Sequence, residues 1–144
     1  MANLNKRVKK DNSGSIKDRR TDLFIKRSAE KILSALRLSG CEVDIFLVSD
    51  ELMRDINMAY RKKDKPTTVL SFEDPDIPHP ETRLRHLGEI YLAPKYISAH
   101  NEDIGRLLVH GILHLVGYDH IKKTDEIRME KKEKEILRKA GFII

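Results

Sequence analysis

The sequence predicts one domain of the α/β (α+β) class, a small mixed β-sheet flanked by helices. Three observations carry that prediction. Short β-rich apolar runs alternate with segments whose apolar residues recur at helical spacing. At 144 residues the chain is long enough for one core and too short for two comfortable ones. Beyond a basic opening segment there is no second regime of composition and no internal repeat.

The first element is a helix capped by Thr21 or Asp22, with Ile25, Ala29, Ile32, Leu33 and Leu36 on one face. Gly40 is placed to end it in a left-handed conformation. Val43 to Val48 (VDIFLV) is short and rich in β-formers, so it reads as a buried strand. Ser49 or Asp50 then opens a second amphipathic helix with Leu52, Ile56 and Ala59 inward, ending near Arg61. The segment RKKDKP forms a charged turn punctuated by Pro66, and a strand follows from Thr68 to Phe72. Residues 73–86 contain Pro75, Pro78 and Pro80, which predicts a long loop. Leu87 to Ala93 (LGEIYLA) is the third strand, and Pro94 suits the first position of a short helix. Asn101 or Asp103 starts a strongly apolar helix through Leu107, Leu108, Ile112 and Leu115, stopped by Gly117. Its composition makes it the central, buried helix. From Thr124 to about Lys139 the chain is charged except for Ile127, Met129, Ile136 and Leu137, a surface helix with one narrow apolar stripe.

Composition excludes several classes. No stretch reaches the roughly 18 uninterrupted apolar residues of a membrane span, and the N-terminus has no apolar segment of the secretory kind. Cys41 is the only cysteine, so there is no internal disulfide and no thiolate metal cluster, in keeping with a reducing cytoplasm. The net charge of +5 sits entirely in residues 1–20, and the remaining residues carry 21 basic and 21 acidic groups. Residues 1–20 therefore read as a basic arm, either a solvated tail or a contact for phosphates, and residues 21–144 as the single domain.

One motif carries chemistry: HGILHLVGYDH, residues 110–120. At 100° per residue His110 and His114 project from one helix face a turn apart, able to grip one ion. Gly117 breaks the helix, and His120 arrives as a third imidazole. Three neutral imidazoles with one open position are what a catalytic zinc site requires, here at the end of the central helix. With six histidines in the chain, chance placement at both spacings is roughly 1%. His79, His86 and His100 lie in loops or element ends and read as ordinary surface histidines. The spacing also matches the metzincin peptidases, but those place a glutamate general base directly after the first histidine, where this chain has Gly111. Met129 reads as part of the last helix stripe rather than as their methionine turn.

The stretch HGILHLVGYDH, with the upstream YRKKDKPTTVLSF and the strand HLGEIYLA, resembles the YbeY family of bacterial endoribonucleases from about Val43 to the C-terminal KAGFII. The resemblance implies a single-strand-specific, zinc-dependent endoribonuclease domain acting in the cytoplasm on small-subunit rRNA, especially the 16S 3′ end, and on ribosomal particles in quality control. It puts the metal ligands at His110, His114 and His120, one Zn²⁺ between them, and the catalytic residues at Arg61 and His110. The chemistry of the residues agrees. Developing charge on a phosphate is met by a zinc ion and by a guanidinium fork. Arg61, Lys62, Lys63 and Lys65 against Asp64 make the densest basic patch outside the arm, a track for a single strand. Asp119 stands either to orient an imidazole or to stabilise its turn, and Ser71 either lines the cleft or simply ends its strand. Two rival readings stand beside this one: a non-catalytic zinc-binding ribosome-assembly factor, favoured by the missing general base, and a metallopeptidase, which Gly111 argues against.

Overall fold

The computed structural model describes residues 16–74 and 85–142. Helix α1 (Ile16–Ala35) leads into β1 (Cys41–Leu47), α2 (Asp50–Arg61), β2 (Val69–Glu73), β3 (Arg85–Leu92), α3 (Pro94–Ala99), α4 (Ile104–Leu115) and α5 (Lys123–Lys139). The strand order is β1-β3-β2, with β3 parallel to β1 and antiparallel to β2. The fold is thus the expected small mixed sheet among helices. The proline-rich segment 75–84, with His79, and the arm through residue 15 lie outside the described residues.

Strand β3 is central and, apart from Glu89, apolar on both of its buried faces. Leu87 to Leu92 are all buried, and a strand covered on both sides must read that way. Ile90 and Leu92 face α1, α4 and α5, packing with Ile32, Leu108, Ile112 and Ile136. Tyr91 faces the other way, with Leu70, onto Leu52, Met53 and Ile56 of α2. Two buried layers therefore clamp the sheet, and α4 is the helix with the broadest contact to it. Gly111 makes that approach possible: a Cβ there would sit 3.1 Å from Ser71 Oγ and 3.2 Å from Ile90 Cδ1.

Several expected details differ. Helix α1 begins at Ile16, so Thr21 and Asp22 lie inside it rather than capping it, and it reaches into the segment read as an arm. Nothing between Ile16 and Ala35 is a glycine or proline, so the helix has no reason to start later. It ends on Arg37, which takes the left-handed conformation (φ 61°), not on Gly40. The Leu38 amide then reaches the Leu33 carbonyl at 2.7 Å, closing the helix end in a Schellman-type turn while Leu38 packs onto the core. In α2 the buried face centres on Met53 and Ile56, which leaves Ala59 exposed and buries Asn57 instead. In α5 Ile127 is 56% exposed, because two residues at 100° each carry it about 200° from Met129. Glu133 takes its place on the buried stripe.

Three other helix starts behave as read. Ser49 Oγ accepts from the Leu52 amide at 3.1 Å, Pro94 opens α3, and Asp103 accepts from the Gly105 amide at the head of α4.

His86 is not an ordinary surface histidine. Its ring in β3 bonds Asp44 of β1 through Nε2 at 3.0 Å and, through Nδ1, Asp74 just past β2, strapping all three strands. Burial works against the charged ring, but the Asp74 hydrogen bond and the charges of Asp44 and Asp74 outweigh it and hold its pKa above the usual value. A raised folded-state pKa gives stability that is fully present below the unfolded-state value and lost as pH rises through the folded one. Thermal melts from pH 6 to 9 are expected to show that loss in the wild type and not in His86→Gln. The two carboxylates are partly exposed, so the loss is about 1 kcal/mol or less.

Candidate metal centre

Helix α4 presents His110 and His114 along one flank, into a cleft that β2 also lines. Gly117, at φ 104°, ends the helix and turns the chain, and the Tyr118 amide closes the turn on the Leu113 carbonyl at 3.0 Å. His120 is thereby brought back over the other two. One nitrogen from each of the three rings lies within 4.8 Å of the others, positioned to bind a metal ion. His110 Nε2 and His114 Nε2 are 3.1 Å apart.

The chemistry of these rings fits a metal. His110 Nδ1 bonds Glu133 Oε1 of α5 at 2.5 Å, and Glu133 is buried. With the proton held at Nδ1 by that carboxylate, the Nε2 lone pair faces the space between the rings, which is the state a metal ligand needs. Burial, followed by the neighbouring charges of His110 and His120, lowers the pKa of His114, so its ring stays neutral at pH 7. No cysteine or carboxylate joins the set among the described residues, which leaves three imidazoles and an open side. Sequence reasoning assigned the orienting role to Asp119 or left it open, and missed Glu133. The available signal was a carboxylate at the fourth position after Met129, with Ile136 and Leu137 beyond it, on a stripe otherwise apolar. Glu133→Ala is expected to weaken metal binding about 10- to 100-fold, read by competition with a chromophoric chelator.

The rings open into a cleft of about 680 Å³ lined by Arg61, residues 69–73 of β2, Leu115 and residues 117–120. The structure thus brings Arg61 to the same cleft as the histidines, from the C-terminal end of α2. Arg61 is exposed and has no ion pair among the described residues. Lys62, Lys63 and Lys65 follow it in the turn but do not line the cleft. That turn is firmly held: Arg54 grips Asp64 with two bonds of 2.7 and 3.1 Å, and Asn57 Nδ2 donates to the Lys65 carbonyl at 2.8 Å. Ser71 lines the cleft, and its hydroxyl donates to the Gly111 carbonyl at 3.3 Å. Asp119 accepts from the Ile121 amide at 3.3 Å, a turn-stabilising bond, and makes no hydrogen bond to a histidine among the described residues. Position 111 faces the sheet, so a glutamate there could not reach the cleft in the manner of a peptidase base.

The fold and the ring cluster define a small α+β protein with three histidines positioned to bind a metal ion where its buried helix ends. The family model described as Endoribonuclease YbeY matches residues 6–141 of this chain. The chain belongs to that family. Endoribonuclease YbeY of Persephonella marina is 41% identical over 117 residues, 76% of either chain. The protein of the same name from a Sulfurihydrogenibium species is 43% identical over 120 residues, again 76% of either chain. The solution structure of TM1509 from Thermotoga maritima superposes with a TM-score of 0.56 at 28% identity, covering 88% of this chain and 85% of that one. The family supports a nuclease of the hydrolase class. No helix among the described residues is long and apolar enough to cross a membrane.

Proposed function

We propose that this chain is a zinc-dependent endoribonuclease that cuts single-stranded RNA. In this reading it works in the cytoplasm on the 3′ end of 16S rRNA and in ribosome quality control. The observation that carries the reading is the meeting of three imidazoles and Arg61 in one open cleft of a chain from an endoribonuclease family. His110, His114 and His120 would hold the ion. Bound there, zinc supplies Lewis-acid polarisation of a phosphoryl oxygen. Arg61, with no ion pair among the described residues, offers its planar fork to the phosphate on which negative charge develops. His110 acts as a catalytic residue by keeping its proton on the Glu133 side and its lone pair on the cleft side. Two of the three rings are half-buried, and an unpaired strand bends down to them where a stiff duplex does not. The turn after Arg61 adds three lysines whose one neighbouring carboxylate, Asp64, is already engaged by Arg54.

The test pairs metal content with cleavage. Wild-type protein is expected to carry near-stoichiometric zinc and to cut single-stranded but not duplex RNA. Chelation should remove the activity and zinc should restore it. Arg61→Lys keeps a charge but loses the fork, so cleavage should fall about 100-fold with zinc content unchanged. Zinc without cleavage, on free RNA and on ribosomal particles alike, would leave the assembly-factor reading in its place.

A further inference from the structure

The cleft does not end at the histidines. Tyr118 lines it and also lines two neighbouring hollows. One is shared with Val116, Asp119, Asp125 and Arg128, and the other is a groove along α5 with Arg128, Lys131, Lys132, Glu135 and Arg138. Tyr118 therefore joins the cleft to both, and Arg128 joins the first hollow to the groove. The groove holds four cations and one carboxylate. Glu135 is taken up by Lys132 at 3.0 Å and Lys139 at 2.9 Å, contacts that push its pKa down to about 2. Arg128, Lys131 and Arg138 are exposed and have no carboxylate within ion-pair distance among the described residues.

This concentration of charge is not a by-product of a basic body, because residues 21–144 carry 21 positive and 21 negative groups. Positions 128, 131, 135 and 138 recur every three or four residues and so share one flank of the helix. Arg128 and Lys131 are three apart, a like-charge spacing that weakens a helix unless something anionic lies across it. The two ends of the cleft are thus alike: Arg61 and its lysine turn at one, the α5 groove beyond Tyr118 at the other.

We propose that the α5 groove is a second binding surface for the RNA strand, taking the phosphates of the segment that leaves the cleft past Tyr118. The proposal rests on the nuclease reading above. Arg128 to Arg138 spans ten residues, about 15 Å of helix, enough for about three consecutive phosphates. Apart from Tyr118 at its head and Glu135, the groove offers only cations, so it grips the backbone without reading bases and does so in a salt-dependent way.

The test uses full-length protein and cleavage-resistant 2′-O-methyl single strands of about 4 and about 16 nucleotides. Arg128→Glu/Lys131→Glu/Arg138→Glu is compared with a charge-matched Lys26→Glu/Lys31→Glu/Lys95→Glu, three exposed positions outside cleft and groove. Arg128→Ala/Lys131→Ala/Arg138→Ala serves if the reversal fails to fold. Wild type is expected to bind the longer strand at least about 10-fold more tightly. The groove variant should lose that advantage, and its salt slope for the longer strand should fall by about 2, while the matched variant keeps both. The proposal is overturned if the groove variant retains the advantage, if the matched variant loses it equally, or if the groove takes polyglutamate in preference to the oligonucleotide. A wild type that cleaves RNA without any length advantage overturns the groove alone. One that neither binds nor cleaves RNA overturns the nuclease reading and the groove with it.

Discussion

His114→Ala is expected to abolish metal binding and RNA cleavage together while leaving the fold standing. His114 is the middle member of the three rings, its centroid 4.7 Å from that of His110 and 5.1 Å from that of His120. Without it two imidazoles remain, one on the helix and one beyond the Gly117 turn, too few to hold zinc against solvent. The fold should survive because His114 is half-buried at the wall of an open cleft, where its removal admits water rather than emptying the core. A stability loss of about 1 kcal/mol is expected, typical of a substitution outside the core. Metal content by elemental analysis, a thermal melt of the metal-free protein and cleavage of a single strand check the three parts separately. Full zinc occupancy in the variant would contradict the ligand assignment.

Gly111→Glu should do the reverse, sparing every ligand and destroying the protein. Position 111 is buried on the sheet-facing side of α4, where a Cβ already lies 3.1 Å from Ser71 Oγ and within 3.4 Å of two Ile90 carbons. A carboxylate has no room there and no partner, and burying an unpaired charge costs several kcal/mol on top of the steric conflict. That is much of the total stability of a domain, about 5–15 kcal/mol. Gly111→Ala is the graded control. Its gain in helix propensity, about 1 kcal/mol, is set against the squeeze on Ser71 and Ile90, so its stability should stay within about 1–2 kcal/mol of wild type. Denaturant titration of both variants measures the contrast. The same geometry explains why the metzincin-like spacing leads to no peptidase: the residue after His110 points into the protein.

Much of this was legible because the signals were local. The Ser49 and Asp103 caps, Pro94 at its helix start, the stop at Gly117 and the four-residue spacing of His110 and His114 all lie within a turn or two of what they control. The parts that went unread depend on distant neighbours. Arg37 rather than Gly40 ends α1 because Leu38 must reach the core, a demand set by packing. His86 looks like a loop histidine until Asp44 arrives from β1 and Asp74 from just past β2. Glu133 looks like one more charge in a charged helix until α5 docks beside α4. The exposure of Ala59 and Ile127 follows from where each buried face is centred, which apolar content alone does not fix.

The bond between Glu133 and His110 has a consequence for how the protein is made. All three rings lie in one short stretch of chain, and they leave the ribosome before the helix that carries Glu133. A chain cut short ahead of that helix would own every ligand yet leave His110 free to swing and to carry its proton on either nitrogen. Tight metal loading would therefore wait until α5 has seated itself beside α4 and Glu133 has reached His110.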